Sequence, residues 1–388
     1  MELIKKNIFI FIKNIAYLFI KSYNNNIFIK LDYFSYGIIR RQIILVQVGI
    51  IGGTGYVGAE LLRLLSNHNK VKISAVSSTS YSGKTISSIY PNFYGINEIV
   101  YENEDEVIEK SDLIFLGLPS GLSESIVEKA VKKNKICIDM GADFRFKEEA
   151  AYKKWYKKDF KLKDLHKESV YGLPELNRKY IKEAKIIGNP GCYATSVELA
   201  LLPLISGGFI EEKGIIADCK SGVTGSGRSL KEGSHFVNCN ESFSAYKVAN
   251  HRHTPEIEEN LSSVSKKDVK LTFIPHLIPI NRGILSTVYT TPRDKVDMEK
   301  LHEDYCEFYK AEPFVKVLPL GEVAKINNVR LSNYCHISLH YDEENNKLIV
   351  ISCLDNMVKG SAGQGIQNMN IVLGFDEKEG LNAVPAIF

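Results

Sequence analysis

Residues 43–65, IILVQVGIIGGTGYVGAELLRLL, decide the fold of this 388-residue chain. A β-branched run leads into a glycine turn, and leucines spaced along one helix face follow it. Strand-like and helix-like segments continue to alternate through KVKISAVSS, SDLIFLGLPSG, SESIVEKAVKKN and KICIDMGADFR. This alternation predicts an α/β, Rossmann-type, doubly wound domain whose parallel sheet is covered on both faces.

The glycine turn is the first candidate site. It fits the pattern G-x-G-x-x-G, and it stands between a strand and a helix, the context that dinucleotide binding requires. We expect Gly53 to make the tight turn, Gly55 to let the backbone approach a pyrophosphate, and Gly58 to allow close helix packing. A purely structural glycine turn is the alternative. The residues assigned to this site are Gly53, Thr54, Gly55, Tyr56, Val57 and Gly58.

The end of the second strand indicates which dinucleotide binds. An NAD site usually carries an acidic residue there to hold the ribose hydroxyls. This chain has Ser77, Ser78 and Ser80 instead, with Lys84 nearby. Hydroxyls and a cation suit a 2′-phosphate, which a carboxylate would repel, so we predict NADP(H) as the cofactor.

The chain after residue 143 has a different pattern. Long strand-like runs no longer alternate one-to-one with helices, which predicts an α+β second domain with a largely antiparallel sheet. A helix-like segment, 361–375, could pack back on the first domain. The strand-like runs are residues 214–219, 270–274, 284–290, 335–340 and 347–353.

Composition excludes several classes of protein. The chain is 44% hydrophobic and 24% charged with a net charge of +3, which is ordinary for a globular protein and too weak to argue for nucleic-acid binding. None of the seven cysteines is in a C-x-x-C spacing, so a zinc site or a thioredoxin-like motif is not indicated. Scattered cysteines in odd number fit reduced thiols, and we expect a cytoplasmic protein without a metal.

Residues 1–42 are dominated by Ile, Asn, Lys, Phe and Tyr. Lys13 and Lys21 interrupt the apolar stretches, and no small-residue cleavage site follows, so a signal peptide is not indicated. No segment reaches the roughly 18–20 apolar residues that span a bilayer. We interpret this part as an extension outside the folded enzyme and expect no membrane partner. A weak interfacial amphipathic helix is the alternative.

The stretch GNPGCYATS, residues 188–196, contains the second candidate site. Its Asn-Pro-Gly break places Cys192 at a helix start, where the helix dipole lowers a thiol's pKa and backbone N–H groups can hold an oxyanion. Beside a nicotinamide site, such a thiolate could expel phosphate from an acyl phosphate to form a thioester. Hydride transfer would then give a thiohemiacetal, which collapses to an aldehyde. Packing of the cysteine in a buried helix is the alternative.

That chemistry needs an acid/base group, and HRHTPEIEE, residues 251–259, offers candidates. Thr254 and Pro255 read as N-cap and first helical residue, which places His251 and His253 on the preceding loop. Two histidines, an arginine and a glutamate within six residues suggest a polar pocket. A surface cluster is the alternative.

These motifs together resemble the N-acetyl-γ-glutamyl-phosphate reductase family. The resemblance runs collinearly from about residue 46 to the C-terminus and also includes YGLPELN, SGVTGSGR, PHLIPINRGIL and VKGSAGQGIQNMN. Ser196 departs mildly from the pattern, because small Gly or Ala is more usual there. The resemblance implies a glyceraldehyde-phosphate dehydrogenase-like architecture and NADPH-dependent reduction of N-acetylglutamyl 5-phosphate to the 5-semialdehyde and phosphate, in arginine biosynthesis. It also implies a homodimer or homotetramer.

The resemblance further implies roles for individual residues. Cys192 would be the nucleophile, and His251 the acid/base residue, oriented by Glu256. The choice between His251 and His253 stays open. The implied substrate carries a phosphate and a carboxylate, so cationic side chains are needed to bind both ends. Arg145 is one candidate, and a structural salt bridge with Asp143 is the alternative for it. We assign Arg145, Ser221, Arg228, Arg252, His253 and Arg282 to the substrate, and Asn189, Asn356, Gly360 and Gln364 to the nicotinamide half of the cofactor. Gly222 is assigned to the cofactor through its backbone N–H, with a tight turn as the alternative for this glycine-rich loop.

These assignments predict three parts after the extension: an NADP-binding domain at 43–189, a catalytic and dimerisation domain at 190–358, and a returning C-terminal helix within 359–388. Two rival functions remain. One is aspartate-semialdehyde dehydrogenase, which would more usually carry Asn before the cysteine. The other is a reductase of carrier-protein-bound aminoacyl phosphates.

Overall fold

The computed structural model describes residues 45–387 in full and, before them, the backbone of two short strands. These are β1, Ile29–Tyr33, and β2, Ile39–Ile43, which pair antiparallel with each other. The rest of residues 1–42, the segment we interpret as an extension, lies outside the described residues.

The first domain is built on a seven-stranded sheet in which every neighbouring pair is parallel. Its strands are β3 (Val46–Ile51), β4 (Val71–Ser77), β5 (Tyr101–Glu102), β6 (Leu113–Leu116), β7 (Ile136–Asp139), β8 (Val170–Tyr171) and β9 (Ile186–Gly188). They lie in the order β5–β4–β3–β6–β7–β9–β8. Helices are α1 (Tyr56–Leu65), α2 (Ile86–Ile89), α3 (Glu104–Lys110), α4 (Ser123–Lys132), α5 (Glu149–Tyr156), α6 (Lys163–Glu168) and α7 (Pro174–Ile181).

Both faces of this sheet are covered, as predicted. Ile50 and Ile51 are adjacent on β3 and both fully buried, yet they belong to different core clusters. Ile50 packs with Leu61 of α1, whereas Ile51 packs with Ile108 of α3 and other residues on the opposite face. Successive side chains of a strand point to opposite faces, so a strand covered on both sides is apolar throughout.

The glycine turn joins β3 to α1, but its sharpest residue is not the expected one. Gly52, rather than Gly53, has the left-handed φ of +85°, and a Cβ there would lie 2.5 Å from the carbonyl oxygen of Gly117. Gly53 is needed for a different reason, because its Cβ would lie 2.1 Å from a methyl group of Val76. Gly58 fulfils the predicted packing role, since its Cβ would come within 2.6 Å of the Cα of Gly53.

The second domain carries a mixed sheet. Its strands are β10 (Ile215–Ser221), β11 (Ser244–Ala245), β12 (Leu271–Leu277), β13 (Ile284–Thr290), β14 (Val315–Val317), β15 (Cys335–Asp342) and β16 (Lys347–Leu354), in the order β11–β12–β10–β13–β16–β15–β14. Only β10–β12 and β14–β15 are parallel pairs, so the predicted largely antiparallel sheet is confirmed. Its helices are α8 (Cys192–Ser206), α9 (Phe236–Cys239), α10 (His253–Ser265) and α11 (Met298–Phe308).

Helix α8 fills the centre of this domain and positions the site. It packs against β13, β16 and α10, and every residue from 193 to 205 is buried. After β16, an irregular turn at Val358–Ala362 leads into α12, Gly363–Val372, which contacts α1, α7 and β7 of the first domain. The turn before α12 is thereby held between the two domains.

No helix among the described residues is long and apolar enough to cross a membrane.

Candidate active site

Cys192 is the first residue of α8, with Gly191 as its N-cap. The strand β9 ends at Gly188, four residues before this position, so the sheet of the first domain leads directly into the cysteine helix. Gly360 lies against the cysteine from the other side, since a Cβ at that glycine would be 2.9 Å from the Cβ of Cys192. The fold thus brings the cysteine motif and the C-terminal glycine motif into contact.

The electrostatic surroundings of Cys192 differ from the expectation. Burial raises the pKa of its thiol to about 11, while the positive charge of Arg145 and backbone N–H groups act in the opposite direction. Desolvation of the thiolate therefore outweighs the helix terminus that the sequence analysis relied on. Arg145 is the nearby cation that opposes this effect.

Glu256 holds the loop before the cysteine. Its Oε1 accepts hydrogen bonds from the backbone N–H of Gly191 (2.7 Å) and from the hydroxyl of Tyr171 (2.9 Å). Its Oε2 lies 3.1 Å from Nη1 of Arg145. We expected Glu256 to orient His251, but its hydrogen bonds go to these three groups instead. It is a positioning residue for the N-cap of α8.

Arg145 is buried at the centre of this arrangement. Besides Glu256, it donates from Nε to the carbonyl oxygen of Asn189 (2.7 Å) and from Nη2 to that of Met140 (3.2 Å). Its side chain is 8% exposed, and its three guanidinium nitrogens are hydrogen-bonded to Glu256, Asn189 and Met140, whereas the sequence analysis expected it at the substrate. The alternative partner, Asp143, accepts from other groups: the amides of Gly121 and Ser123 and the hydroxyl of Tyr152.

The two histidines lie beside the cysteine helix. α10 begins at His253, with Arg252 as N-cap, so our prediction that the helix starts at Thr254 and Pro255 is wrong by two residues. The ring of His253 packs on Gly191, because a Cβ at that glycine would be 2.4 Å from Nε2. His251 accepts the backbone N–H of His253 at its Nδ1 (3.1 Å), which fixes its ring and leaves Nε2 for another partner.

The environments of His251 and His253 favour their neutral forms, because the pKa of each imidazole is lowered. Burial lowers the pKa of His251 to about 2, helped by the positive charges of Lys247 and Arg252. Burial and the charge of Arg145 likewise hold the pKa of His253 well below its usual range. A neutral imidazole can accept a proton from a thiol, and the imidazolium so formed can return that proton to an oxyanion.

The other predicted substrate arginines are spread over the domain interface. Arg252 is exposed and lies over the ring of Tyr156, with its guanidinium carbon 5.0 Å from the ring centre. Arg282 pairs with Glu60 of α1 (2.9 Å) and faces Asp355 at 3.5 Å, so it connects the two domains.

Arg228 lies at the glycine turn, away from the position that we predicted for it. Its Nη1 donates to the carbonyl oxygen of Thr54 (2.9 Å), which also accepts the hydroxyl of Tyr90 (2.8 Å). Its guanidinium lies over the rings of Tyr81 (5.6 Å) and Tyr90 (5.3 Å), and Lys84 lies over the Tyr81 ring as well (5.6 Å). Two cations therefore flank the end of β4.

The serines expected to hold the cofactor lie at the same place. The hydroxyls of Ser78 and Thr54 are 3.1 Å apart, and the carbonyl of Ser77 accepts the backbone N–H of Gly53 (2.9 Å). Ser80 is exposed. Tyr56, the first residue of α1, is 38% exposed beside them.

Of the residues expected near the nicotinamide, Asn356 and Asn189 have side-chain amides that are hydrogen-bonded to the protein, whereas the amide of Gln364 is not. Asn356 is committed to protein contacts, since it accepts the N–H of Gly283 (2.8 Å) and donates to Thr224 (3.0 Å). Gln364 is fully buried, and neither polar atom of its amide has a hydrogen-bond partner among the described residues. Asn189 is bound by Asn368 (3.1 Å) and donates to the carbonyl of Ser361 (3.2 Å).

The glycine-rich loop after β10 is packed tightly. A Cβ at Gly222 would lie 2.7 Å from the backbone of Arg282, which requires glycine there. Ser221 is buried and its hydroxyl donates to the carbonyl of Gly222 (3.0 Å). Close packing of the loop therefore explains the glycine at position 222, and a hydrogen bond within the loop engages the hydroxyl of Ser221.

Sequence reasoning missed three residues that surround Glu256. Tyr171 was noticed only as part of a family motif, and Glu198 and Asn260 were not noticed. Glu198 lies on α8 and its carboxylate is completely buried. The signal was available, because Glu198 is the one acidic residue in the otherwise uncharged stretch CYATSVELALLPLI.

Comparisons with known proteins agree with this architecture. The semialdehyde dehydrogenase NAD-binding domain family matches residues 47–184, and the semialdehyde dehydrogenase dimerisation domain family matches residues 192–356. Among solved structures, aspartate semialdehyde dehydrogenase II of Vibrio cholerae aligns with a TM-score of 0.66 over 85% of this chain and 99% of that one, at 14% identity. The aspartate semialdehyde dehydrogenase of Candida albicans, solved with NADP, has a TM-score of 0.63 over 85% and 98%, at 16% identity.

Sequence relatives are much closer. N-acetyl-gamma-glutamyl-phosphate reductase of Clostridium kluyveri is 77% identical over 344 residues, which is 89% of this chain and 100% of the relative. The enzymes of that name from Clostridium botulinum and Brachyspira hyodysenteriae are 57% and 51% identical, again over 89% of this chain and the whole of each relative. These full-length matches, together with the site geometry, show that the chain belongs to the N-acetyl-γ-glutamyl-phosphate reductase family of oxidoreductases.

Proposed function

We propose that this chain catalyses the NADPH-dependent reductive dephosphorylation of N-acetyl-L-glutamyl 5-phosphate to N-acetyl-L-glutamate 5-semialdehyde and phosphate, in arginine biosynthesis. The observation that carries the proposal is the position of Cys192 at the start of α8, beside two neutral imidazoles and a clamped backbone N–H. The names of the full-length relatives support the substrate class.

The described residues fit a bound NADP(H). The helix start after the glycine turn suits the pyrophosphate. Arg228 and Lys84, with the hydroxyls of Ser78 and Ser80, suit a 2′-phosphate, and the sequence of residues 77–84 contains no acidic residue. The unpartnered amide of Gln364 suits a nicotinamide carboxamide, which offers both a donor and an acceptor. When bound, the cofactor supplies the hydride.

Cys192 carries the covalent chemistry. Its thiol gives up a proton and the sulfur attacks the acyl carbon, which breaks the carbon–oxygen bond to phosphate and forms a thioester. The carbonyl carbon then receives the hydride, and the oxygen takes a proton to give a thiohemiacetal. The hydroxyl of that adduct then loses its proton as the carbon–sulfur bond breaks, which releases the aldehyde, and the sulfur regains a proton to restore the cysteine. The N–H groups at the start of α8 are suited to hold the oxyanion.

His251 is the acid/base residue in this proposal. Its Nδ1 is occupied by the amide of His253, so Nε2 is the atom that takes the thiol proton and returns one to the oxyanion. His253 packs on Gly191 and contributes shape and polarity to the substrate side. Arg252 is the exposed cation next to this pair and would receive an anionic group of the substrate.

We also propose a homodimer formed through the second domain. The segment between β10 and α10 exposes several large apolar side chains, which a monomer would leave in water. They are Leu230 (91% exposed), Phe236 (75%), Val237 (87%) and Phe243 (62%). Sedimentation analysis of Val237→Asp should show a monomer where the parent protein is a dimer; a parent protein that sediments as a monomer would refute the interface.

The function is tested in the reverse direction. The protein is mixed with N-acetylglutamate semialdehyde, phosphate and NADP⁺, and NADPH formation is followed by absorbance. We expect phosphate-dependent turnover that Cys192→Ala abolishes and that aspartate semialdehyde does not support. Turnover with aspartate semialdehyde alone would transfer the assignment to that dehydrogenase. A folded, NADP⁺-binding protein without either activity would point to a carrier-bound substrate.

His251→Gln and His253→Gln separate the two histidines in the same assay. We expect His251→Gln to lose about 10²–10⁴-fold in kcat, the range of general acid–base catalysis. His253→Gln should change KM more than kcat. The reverse pattern would make His253 the acid/base residue.

A further inference from the structure

Two buried carboxylates share a single hydroxyl behind the cysteine loop. The hydroxyl oxygen of Tyr171 lies 3.1 Å from each carboxylate oxygen of Glu198 and 2.9 Å from Oε1 of Glu256. Glu198 and Glu256 are 0% and 1% exposed, and Tyr171 is 6% exposed. Nothing in the reaction proposed above uses Glu198.

The hydroxyl can satisfy only one of the two carboxylates as a donor. A phenol has one proton to give, and its oxygen can also accept a hydrogen bond. If Tyr171 donates to Glu256, the contact with Glu198 is favourable only when Glu198 carries a proton and donates it. If both glutamates were ionised, two acceptors would compete for one proton in a site without water access.

The surrounding charges decide which glutamate is neutral. Glu256 lies 3.1 Å from the guanidinium of Arg145 and accepts the backbone N–H of Gly191, so a negative charge on this carboxylate has a cation as its partner. The hydrogen-bond partners of Glu198 among the described residues are both neutral: the amide of Asn260, at 3.0 Å from its Oε1, and the shared hydroxyl. The positive charge of Arg145 can compensate the negative charge of one carboxylate, that of Glu256. A negative charge on Glu198 as well would be buried without compensation.

The direction of the pKa shift of Glu198 agrees with this charge count. Burial, followed by the charge of Glu256, raises the pKa of Glu198 well above its usual range, against the lowering effects of Asn260, Tyr171 and Arg145. Asn260 also donates to the backbone carbonyl of Glu256, one turn earlier on the same helix α10 (2.9 Å), which holds its amide next to Glu198.

We propose that Glu198 is a neutral carboxylic acid and acts as a positioning residue: it donates to Tyr171, Tyr171 donates to Glu256, and Glu256 holds the N–H of Gly191 in front of Cys192. The proton on Glu198 sets the direction of the hydrogen bonds from Glu198 to Tyr171 and from Tyr171 to Glu256. The link to turnover rests on the proposed function, whereas the proton assignment does not.

Two isosteric variants test the assignment. Glu198→Gln keeps a donor toward Tyr171, with its amide oxygen toward Asn260, so we expect kcat within about threefold of the parent enzyme. Glu256→Gln removes the charge that faces Arg145, and we expect at least a hundredfold loss of kcat. The opposite order, with Glu256→Gln tolerated and Glu198→Gln inactive, would overturn the proposal.

Two measurements without turnover complete the test. Infrared spectra at neutral pH should show the carbonyl stretch of a protonated carboxylic acid, present in Cys192→Ala and absent in Glu198→Gln. The folding equilibrium constant should also depend on pH differently in the two proteins. Above the pKa of a carboxyl group in the unfolded chain, the ratio of the constant of Glu198→Gln to that of the parent should rise by up to about tenfold per pH unit. The reason is that the folded parent keeps a proton on Glu198 that its unfolded chain has lost, whereas Gln carries no such proton. A missing band in the parent, or a pH-independent difference, would refute a neutral Glu198 even if the enzymatic assignment were wrong.

Discussion

The imidazole of His253 lies directly on Gly191, so closely that a Cβ at that glycine would be 2.4 Å from Nε2. The residue before Cys192 must therefore be glycine for this histidine to keep its place. The same glycine donates its N–H to Glu256, so a single residue links the histidine segment, the buried carboxylate and the cysteine.

Gly191→Ala should lower kcat about 100-fold, because the new methyl group displaces His253 and shifts the first turn of α8, and displacements of about 1 Å have effects of that size. Turnover in the reverse direction is the measurement. Lys72→Ala is the control, since this side chain is exposed on β4, outside the proposed dimer interface. Activity retained in Gly191→Ala would show that the contact is not needed.

Arg145→Met should destabilise the protein by about 3–5 kcal/mol, because it leaves the carboxylate of Glu256 buried without its partner. Urea unfolding gives this value. The loss of positive charge should also raise the pKa of the Cys192 thiol further and slow its alkylation by iodoacetamide at neutral pH. Arg252→Met removes an exposed cation nearby and should change stability by less than about 0.5 kcal/mol. Equal effects of the two variants would contradict the buried pairing.

His251 should make folding sensitive to acid. Burial lowers its pKa to about 2, so between neutral pH and pH 5 the unfolded chain binds a proton that the folded protein does not, and stability falls as the pH falls. His251→Gln removes this effect and should lose about 2 kcal/mol less than the parent between about pH 7 and pH 5. Unfolding in urea at both pH values measures the difference, with the exposed His235→Gln as control. A parallel loss in parent and His251→Gln would mean that the imidazole titrates normally.

Arg228→Met should weaken recognition of a 2′-phosphate. Calorimetric titration with adenosine 2′,5′-bisphosphate and with 5′-AMP should show about a 10–100-fold preference for the bisphosphate in the parent, the range of a charge-assisted hydrogen bond or two. That preference should largely disappear in Arg228→Met. Lys231→Met, three residues further along the same exposed segment, should keep it. Equal binding of both nucleotides by the parent protein would argue for NAD(H) instead.

Local pattern was enough for the architecture and for the position of Cys192 at a helix start. Strand and helix periodicity in residues 43–65 and the alternation that follows predicted the doubly wound sheet, because each strand is buried on both faces and reads as an apolar run. The Asn-Pro-Gly break before Cys192 predicted a helix start there, because a helix cannot continue through it.

Only the tertiary structure decided which charges meet. Arg145 and Glu256 are 111 residues apart, Arg282 and Glu60 are 222, and Arg228 and Thr54 are 174. No local rule chooses among the possible partners of an arginine, and the sequence analysis accordingly placed Arg145, Arg228 and Arg282 at the substrate. The pKa of Cys192 was misjudged for the same reason: a helix start is a local feature, whereas the burial that outweighs it is created by segments distant in the chain, such as the turn at Gly360.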